Sequence, residues 1–282
     1  MPSFTILCVN LGNAEPRYFN ERHKNKLVSR LTEWRLQRRI RRLQPDIVVY
    51  QESIGHLEYL GRDPKHPQIR RILGKEYSIV ADKRSQFDGI AVHISAGNIL
   101  GCKHGGYKHN PRTERQGNAC DHNFSAQAST IQLKDSFTFD LGAFHLHSTN
   151  ADCRASALLH SFNGNPEKNK PPLLHEKNLL IAGDFNLDPW RQNDRSEKVF
   201  RDLLAGGWAG RSLEVHNRIG RDGLPEMTGV YPVLNRTIDI VSTNFALGTL
   251  DTLGITPGTR RLDGGHGCDH YALFGQLHYK LE

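Results

Sequence analysis

Apolar residues fall in short runs along most of the chain, separated by clusters of Gly, Asn, Asp and Pro. Runs of this kind bounded by turn formers predict strands. They cover Phe4–Val9, Ile47–Tyr50, Ser78–Ala81, Gly89–Ile94, Ser129–Leu133, Phe137–Phe144, Leu179–Ala182, Thr237–Val241 and Tyr271–His278. Helical spacing is rarer. Leu36, Ile40 and Leu43 recur on one helical face up to Pro45, while Leu27, Leu31 and Trp34 form an earlier stripe out of phase with it. That predicts a helix over Asn25–Leu43 with a break near Thr32. Other helices are predicted around Pro67–Leu73, over Asp152–Phe162 and over Ser196–Ala205. The polar segments Gly101–Asn123 and Asn163–Pro172 predict surface loops. Many strands with a few interspersed helices imply two packed sheets with helices outside, an α+β architecture. With no internal repeat and no long linker, residues 1–282 are expected to form a single domain.

Composition narrows the class. A hydrophobic share of 37% is enough for a real core and excludes a disordered chain. No apolar stretch approaches the roughly 18 residues of a membrane span. MPSFTILCVN has neither a basic region before its apolar run nor a small-residue cleavage site, so it reads as a first strand. These features predict a cytoplasmic protein without membrane insertion. Cys8, Cys102, Cys120, Cys153 and Cys268 are odd in number and scattered, which fits a reducing compartment better than a disulfide framework. The net charge of +7 is unevenly spread. Arg22 to Arg42 carries nine Lys/Arg residues and one acid, Glu33. A solvated face of an amphipathic helix is the plainer reading; a phosphate-contact surface is the functional one.

Candidate chemistry sits where strands end. Phe4–Val9 ends in Asn10, Asp46–Tyr50 in Gln51-Glu52, Phe137–Phe144 in His145-Leu146-His147-Ser148, and Leu179–Ala182 in Gly183-Asp184-Phe185-Asn186. Asp239 lies inside Thr237–Val241, and Cys268-Asp269-His270-Tyr271 opens the last strand. A turn cap or surface ion pair explains any of these singly. Acids, amides and imidazoles at six strand ends make a different pattern. Carboxylate and amide oxygens are the ligands a hard cation such as Mg²⁺ takes. Histidines beside carboxylates transfer protons near neutral pH.

In this order, VNLGN with Asn10, PDIVVYQES with Glu52, FHLHSTN, IAGDFNLDP with Asp184 and Asn186, TIDIV with Asp239, and CDHYAL with Asp269 and His270 resemble the endonuclease/exonuclease/phosphatase superfamily, whose members look like deoxyribonuclease I. The pieces run from residue 10 to residue 271. The resemblance implies a four-layer α/β/β/α sandwich of two mainly antiparallel sheets with outer helices, and metal-dependent cleavage of a phosphoester by water. It implies Glu52 as the principal Mg²⁺ ligand, assisted by Asp269 and Asn10, with Mn²⁺ as a substitute ion. Asp184 would position or deprotonate the attacking water, and Asn186 would hold a phosphate oxygen. His270 would sit over the phosphate, oriented by Asp239. A second histidine would contact the phosphate or protonate the leaving group. His145 matches a His-Leu motif after a strand, and His147 matches a His/Tyr-x-x-Asn pattern that makes Asn150 a phosphate contact. The second alignment is slightly preferred.

Some features depart from better-defined subfamilies. Deoxyribonuclease I-like sequences carry Phe-Ser-Arg where this chain has Phe124-Ser125-Ala126. Arg112, Arg115 and Arg154 are the candidates to replace that arginine at the substrate. The inositol-polyphosphate phosphatases carry an arginine soon after GDFN, where Leu187-Asp188-Pro189 stands here. Cys102, His104, His109, Cys120 and His122 share one loop and could hold Zn²⁺, but their spacings fit no standard motif. Lys103, Lys108, Arg112 and Arg115 make that loop a better phosphate grip. The expectation is a Mg²⁺-dependent, endonuclease-like phosphodiesterase acting on nucleic acid. The alternatives are a phosphatase or phospholipase acting on a phosphorylated small molecule or lipid head group, or an inactive scaffold of the same fold. The complete set of acids and imidazoles argues against the scaffold.

Overall fold

β1 (Ser3–Asn10) shows how the central strands are written. Phe4, Ile6 and Cys8 face one way and Leu7 and Val9 the other, and both sets are buried. A strand buried on both faces belongs in the middle of a sheet. β2 (Ile47–Gln51) lies parallel to it, in register from Ile6↔Ile47 to Asn10↔Gln51. On one side follow the antiparallel strands β12 (Ala272–Tyr279) and β11 (Ala246–Leu253), and on the other β4 (Gly89–His93) and β3 (Tyr77–Ala81). A computed structural model describes residues 1–11, 34, 37–53, 67–81, 88–104, 125–147, 150–165, 169–207, 212–229, 236–253 and 270–281.

The second sheet repeats the plan. Its central parallel pair is β7 (Thr138–His145) and β8 (Leu179–Asp184), in register from Asp140↔Leu179 to His145↔Asp184. Its order is β5-β6-β7-β8-β10-β9, with β5 (Gly97–His104), β6 (Ser125–Leu133), β9 (Glu214–Val215) and β10 (Asp239–Thr243) all antiparallel to their neighbours. A parallel pair requires a crossover. Residues 37–43 (α1) lead into β2, and α2 (Pro67–Leu73) follows it; both pack on the outer face of the first sheet through Ile40, Ile69 and Ile72. α3 (Ala151–Asn163) crosses from β7 to β8 and packs with α4 (Arg195–Leu204) on the outer face of the second sheet. The layers are therefore helix, sheet, sheet, helix, as the resemblance implies.

The core between the sheets is graded along its length. Phe4, Phe137, Phe139, Phe245 and Tyr279 cluster at one end, with Phe137 and Tyr279 ring centroids 4.5 Å apart and Phe139 and Phe245 5.0 Å apart. Toward the other end the inward side chains shrink to Cys8, Val49, Ala143, Ala182 and Val241.

Three strands escape the sequence pattern. β11 buries mainly Ala246 and Leu250, so it lacks the alternation that predicts a strand. β5 carries two glycines and an exposed Leu100, and it occupies residues 101–104 of the segment expected to be a loop. β9 is two residues long. The rest of the expected loop to residue 123, with its zinc candidates His109, Cys120 and His122, lies outside the described residues. Cys153 is disulfide-bonded, against the reduced cysteines expected from their scatter, while Cys8 and Cys102 are free. Among the described residues no helix is long and apolar enough to cross a membrane.

The segment at residues 216–218 ties the edge of the second sheet to β11. Leu250 donates its N–H to the His216 carbonyl at 2.7 Å, and His216 donates to the Val241 carbonyl at 2.9 Å. The buried His216 ring donates from Nδ1 to the Gly248 carbonyl at 3.0 Å, while Nε2 has no partner among the described residues. Burial holds its pKa below the ordinary 6.5, outweighing the hydrogen bond to Gly248. The unfolded chain therefore takes up a proton at this residue before the folded one does. Below pH 6.5 wild-type stability should fall relative to that of His216→Gln, by at most about 1.4 kcal/mol per pH unit. Urea unfolding of both proteins between pH 7.5 and 5.5 checks this; parallel curves would refute it.

Candidate active site

The apolar alternation that builds the inter-sheet core ends, strand by strand, in polar residues. On the first sheet, Phe4, Ile6 and Cys8 are followed on the same face by Asn10, and Ile47 and Val49 by Gln51. On β4, which runs the other way, Asp88 comes ahead of the inward Ile90 and Val92. On the second sheet Phe139, Leu141 and Ala143 lead to His145, Leu180 and Ala182 lead to Asp184, and Val241 follows Asp239. Side chains two apart share a face, so these polar groups close one end of the sandwich. Register aligns His145, Asp184 and Asp239 as neighbours in one row, facing Asn10 and Gln51.

Two carboxylate–imidazole pairs bridge the sheets there. His270 Nδ1 lies 2.8 Å from Asp239 Oδ2, and its Nε2 lies 3.6 Å from Asp184 Oδ2. His145 Nδ1 lies 3.2 Å from Asp88 Oδ1, with Nε2 3.7 Å from Glu52 Oε1 and 3.8 Å from Asp184 Oδ2. Asn10 Nδ2 donates to Glu52 Oε1 at 3.4 Å and to Asp184 Oδ2 at 3.3 Å. Glu52 donates its backbone N–H to Asp88 Oδ1 at 3.0 Å. Asp184 thus sits between the two imidazoles, and Glu52 joins it on the Asn10 side.

Burial raises the Asp184 carboxyl well above the ordinary carboxylate range; Asp239 and Glu52 add to the rise, while His270 and His145 oppose it. Burial alone would lower the His145 pKa. The Asp88 charge and hydrogen bond, with Asp184 and Glu52, outweigh that and hold it up at about 10. His145 is therefore an imidazolium at neutral pH in this environment.

The backbone places these groups by unusual conformations. Glu52 has φ 54 and Asn186 has φ 51, both in the left-handed region. Gly183 has φ 143, and a β-carbon there would overlap the Phe144 carbonyl, so only glycine lets β8 approach β7 at this point. Asn186 donates its N–H to Asp184 Oδ1 at 2.9 Å and its Nδ2 to the Leu146 carbonyl at 2.8 Å, joining the turns after β8 and β7. Asp188 is fully buried and accepts from Thr237 N at 2.8 Å, Trp190 N at 3.1 Å and Arg191 N at 3.1 Å. Thr228 Oγ1 accepts from Asp239 N at 2.8 Å, and Asn217 Nδ2 donates to the Asp239 carbonyl at 2.8 Å. The Asp239 backbone is thus fixed on both sides before its side chain meets His270.

The sequence-derived candidates divide accordingly. Asn10, Glu52, Asp184, Asp239, His270 and His145 converge, and Asn186 braces the turn beside them. Among the described carboxylates, Glu52, Asp88 and Asp184 meet His145, not the preferred His147. The His147 ring accepts the Asn150 N–H at Nδ1, 3.1 Å away, and its carbonyl accepts from Arg154 Nη1 at 3.0 Å. Asn150 is the N-cap of α3, its side chain accepting from Cys153 N at 3.0 Å. Arg154 is buried and bonds Asp194 at 2.9 Å and Ser196 at 2.9 Å, which fixes the two helices together. Asp269, Arg112 and Arg115 lie outside the described residues. Asp88 is a site residue that the sequence reading misses. Its one signal is its position, two residues before Ile90 on the inward face and immediately before a predicted strand.

No protein-family model matches the chain, and no curated protein matches its sequence. Solved structures do match its shape. An endonuclease/exonuclease/phosphatase family protein from Bacteroides thetaiotaomicron aligns over 99% of each chain with a TM-score of 0.65 at 15% identity. ANGEL2, a 2′,3′-cyclic phosphatase in complex with adenosine-2′,3′-vanadate, aligns over 99% of this chain and 96% of its own, with a TM-score of 0.65 at 12% identity. The mannosyl-6-phosphatase Bt3783 of Bacteroides thetaiotaomicron aligns over 99% of this chain and 100% of its own, with a TM-score of 0.64 at 15% identity. The chain has the endonuclease/exonuclease/phosphatase fold.

The network around Asp188 sets a measurable contrast. Asp188→Ala would leave several buried donors without an acceptor and should lower the unfolding free energy by about 3 kcal/mol. Asp152 pairs with Arg195 at 2.9 Å with both side chains exposed. Asp152→Ala should change stability by no more than about 0.5 kcal/mol. Chemical denaturation of both variants tests this, and equal losses would contradict the assignment.

Proposed function

We propose that the protein is a divalent-metal-dependent phosphodiesterase, with Mg²⁺ as its ion and nucleic acid as its substrate. The observation that carries this reading is the pair of carboxylate–imidazole dyads, Asp88–His145 and Asp239–His270, on either side of Asp184 and beside Asn10 and Glu52.

The residues present fit a hard cation. Glu52 and Asp184 offer carboxylate oxygens that share one donor, Asn10 Nδ2, and the Asp184 carboxylate, raised in pKa first by burial and then by Asp239 and Glu52, is a charge that a cation would offset. Glu52, Asn10 and, by resemblance, Asp269 would hold the ion. When bound, it would polarise a phosphoryl oxygen and favour ionisation of a nearby water.

The chain's own residues supply the remaining chemistry. Asp184 accepts a proton from the attacking water, a role its raised pKa suits. His270, oriented by Asp239, directs its Nε2 toward Asp184 and the phosphate beside it. His145, kept protonated by Asp88, donates to a phosphoryl oxygen or to the leaving oxygen, where negative charge builds during attack. Asp88 and Asp239 act by fixing the two rings and their charge.

Nucleic acid is favoured by the +7 charge and by a cationic face on the first sheet's helices. Arg38, Arg39, Arg41 and Arg42 on α1 are exposed beside Arg70 and Arg71 of α2, and Gln37 Nε2 donates to the Arg71 carbonyl at 2.8 Å. The relatives in shape act on different phosphoesters, a 2′,3′-cyclic phosphate in one and a mannosyl 6-phosphate in another. A phosphatase of small molecules is therefore the competing outcome.

Turnover should be measured on plasmid DNA, single-stranded DNA, RNA, a 2′,3′-cyclic phosphate, a sugar phosphate and a phosphoinositide, with Mg²⁺ and with EDTA. Cleavage of nucleic acid is expected, abolished by EDTA and by Glu52→Ala. Affinity for duplex should fall with salt at a log–log slope of about −0.9 per phosphate contact. Asp239→Asn should reduce turnover about 10²-fold or more. Phosphate release from the small substrates without nuclease activity would overturn the substrate assignment, and full activity in EDTA would overturn the metal.

A further inference from the structure

Gln51 has no role in the chemistry above, yet it stands at the edge of the site. It is 1% exposed, and among the described residues neither Nε2 nor Oε1 of its carboxamide has a hydrogen-bond partner. It is the last residue of β2, on the inward face that Ile47 and Val49 line below it. Its neighbour on β1 is Asn10, in direct register. On the other side Tyr50 pairs with Gly89, which sets Asp88 next to Gln51. Glu52 follows at once with φ 54.

An aliphatic side chain would fill this place without leaving a buried amide unsatisfied. The groups around it are otherwise engaged. Asn10 bonds Glu52 and Asp184, and Asp88 bonds His145 and the Glu52 N–H. Gln51 contributes two N–H donors and a carbonyl oxygen with two lone pairs, all unused, at the edge of the carboxylate cluster. A divalent ion such as Mg²⁺ binds through one or two carboxylates and keeps several of its waters. Those waters need acceptors, and the partners that orient them tune affinity strongly.

We infer that Gln51 is a positioning residue whose carboxamide holds a water of the divalent cation's hydration shell from the first-sheet side, between Asn10 and Asp88. This rests on the metal-dependent reading above. It assigns the first sheet two kinds of contact to the ion, direct ones through Glu52 and Asn10 and a water-mediated one through Gln51.

The test separates stability from ion binding. Gln51→Met keeps the volume and removes the polar atoms. In metal-free buffer the full-length variant should melt at or above the wild-type temperature, because a buried unsatisfied amide is gone. Its Mn²⁺ affinity, followed by electron paramagnetic resonance, should fall about tenfold. Gln51→Glu retains an acceptor and adds charge, so it should bind Mn²⁺ at least as tightly as the wild type. Wild-type Mn²⁺ affinity in Gln51→Met overturns the inference while leaving the metal reading intact. No Mn²⁺ binding by the wild type overturns both. If Gln51→Met fails to fold, Gln51→Glu decides: weakened binding in a folded Glu variant overturns the inference, and retained or tighter binding supports it.

Discussion

Asp88, Asp184 and Asp239 are buried at one end of the sandwich with Glu52 beside them. Carboxylates withdrawn from water repel one another more strongly than they would in solvent, and Asp184, at the centre, ionises less readily, first because it is buried and then because Asp239 and Glu52 are near. The fold answers with imidazoles. His145 and His270 each bond one outer carboxylate through Nδ1 and direct Nε2 at Asp184. Nothing else about the site is independent of this arrangement. The positive φ of Glu52, the close approach of β8 to β7 at Gly183, and the clamp around Asp239 all lie at the strand ends that carry these charged groups.

Backbone strain of that kind persists only where surrounding structure fixes it. Here the support is visible. Asn186 is pinned to Asp184 and to Leu146, Glu52 to Asp88, and Asp239 is gripped through Thr228, Asn217 and, by way of Thr237, Asp188. Arg154 serves the same end from a different layer. Its buried guanidinium links the turn after β7 to the N-terminus of α4, so a residue that the sequence offers as a substrate contact is a structural brace.

Much of this is legible in the sequence. Central strands such as β1 and β8 are apolar on both faces and announce themselves, and the polar residues at their ends mark the site. Of the edge strands, β3 is legible as Ser78–Ala81, while β11 and β5 bury too few side chains to impose a pattern and β9 is only two residues long. The choice between His145 and His147 is hidden for another reason. Both share the parity of Phe139 and Leu141, and only the pairing of His145 with Asp184 across β7 and β8 shows which one meets the described carboxylates. Asp88 escapes because a residue before a strand reads like any loop acid until the opposite sheet is in place.

Both dyads span the gap between the sheets. Asp88 leads into a strand of the first sheet and His145 ends one of the second; Asp239 opens a strand of the second and His270 precedes one of the first. Asn10 and Asp184 make a third such tie. Aromatic rings fill the gap between the sheets at the far end, and these polar ties bridge it at the near end, over a floor of small side chains. The candidate site is thus also the clasp of the sandwich. A proton gained or lost there changes the force between two layers, so ionisation and mechanical closure share the same few atoms.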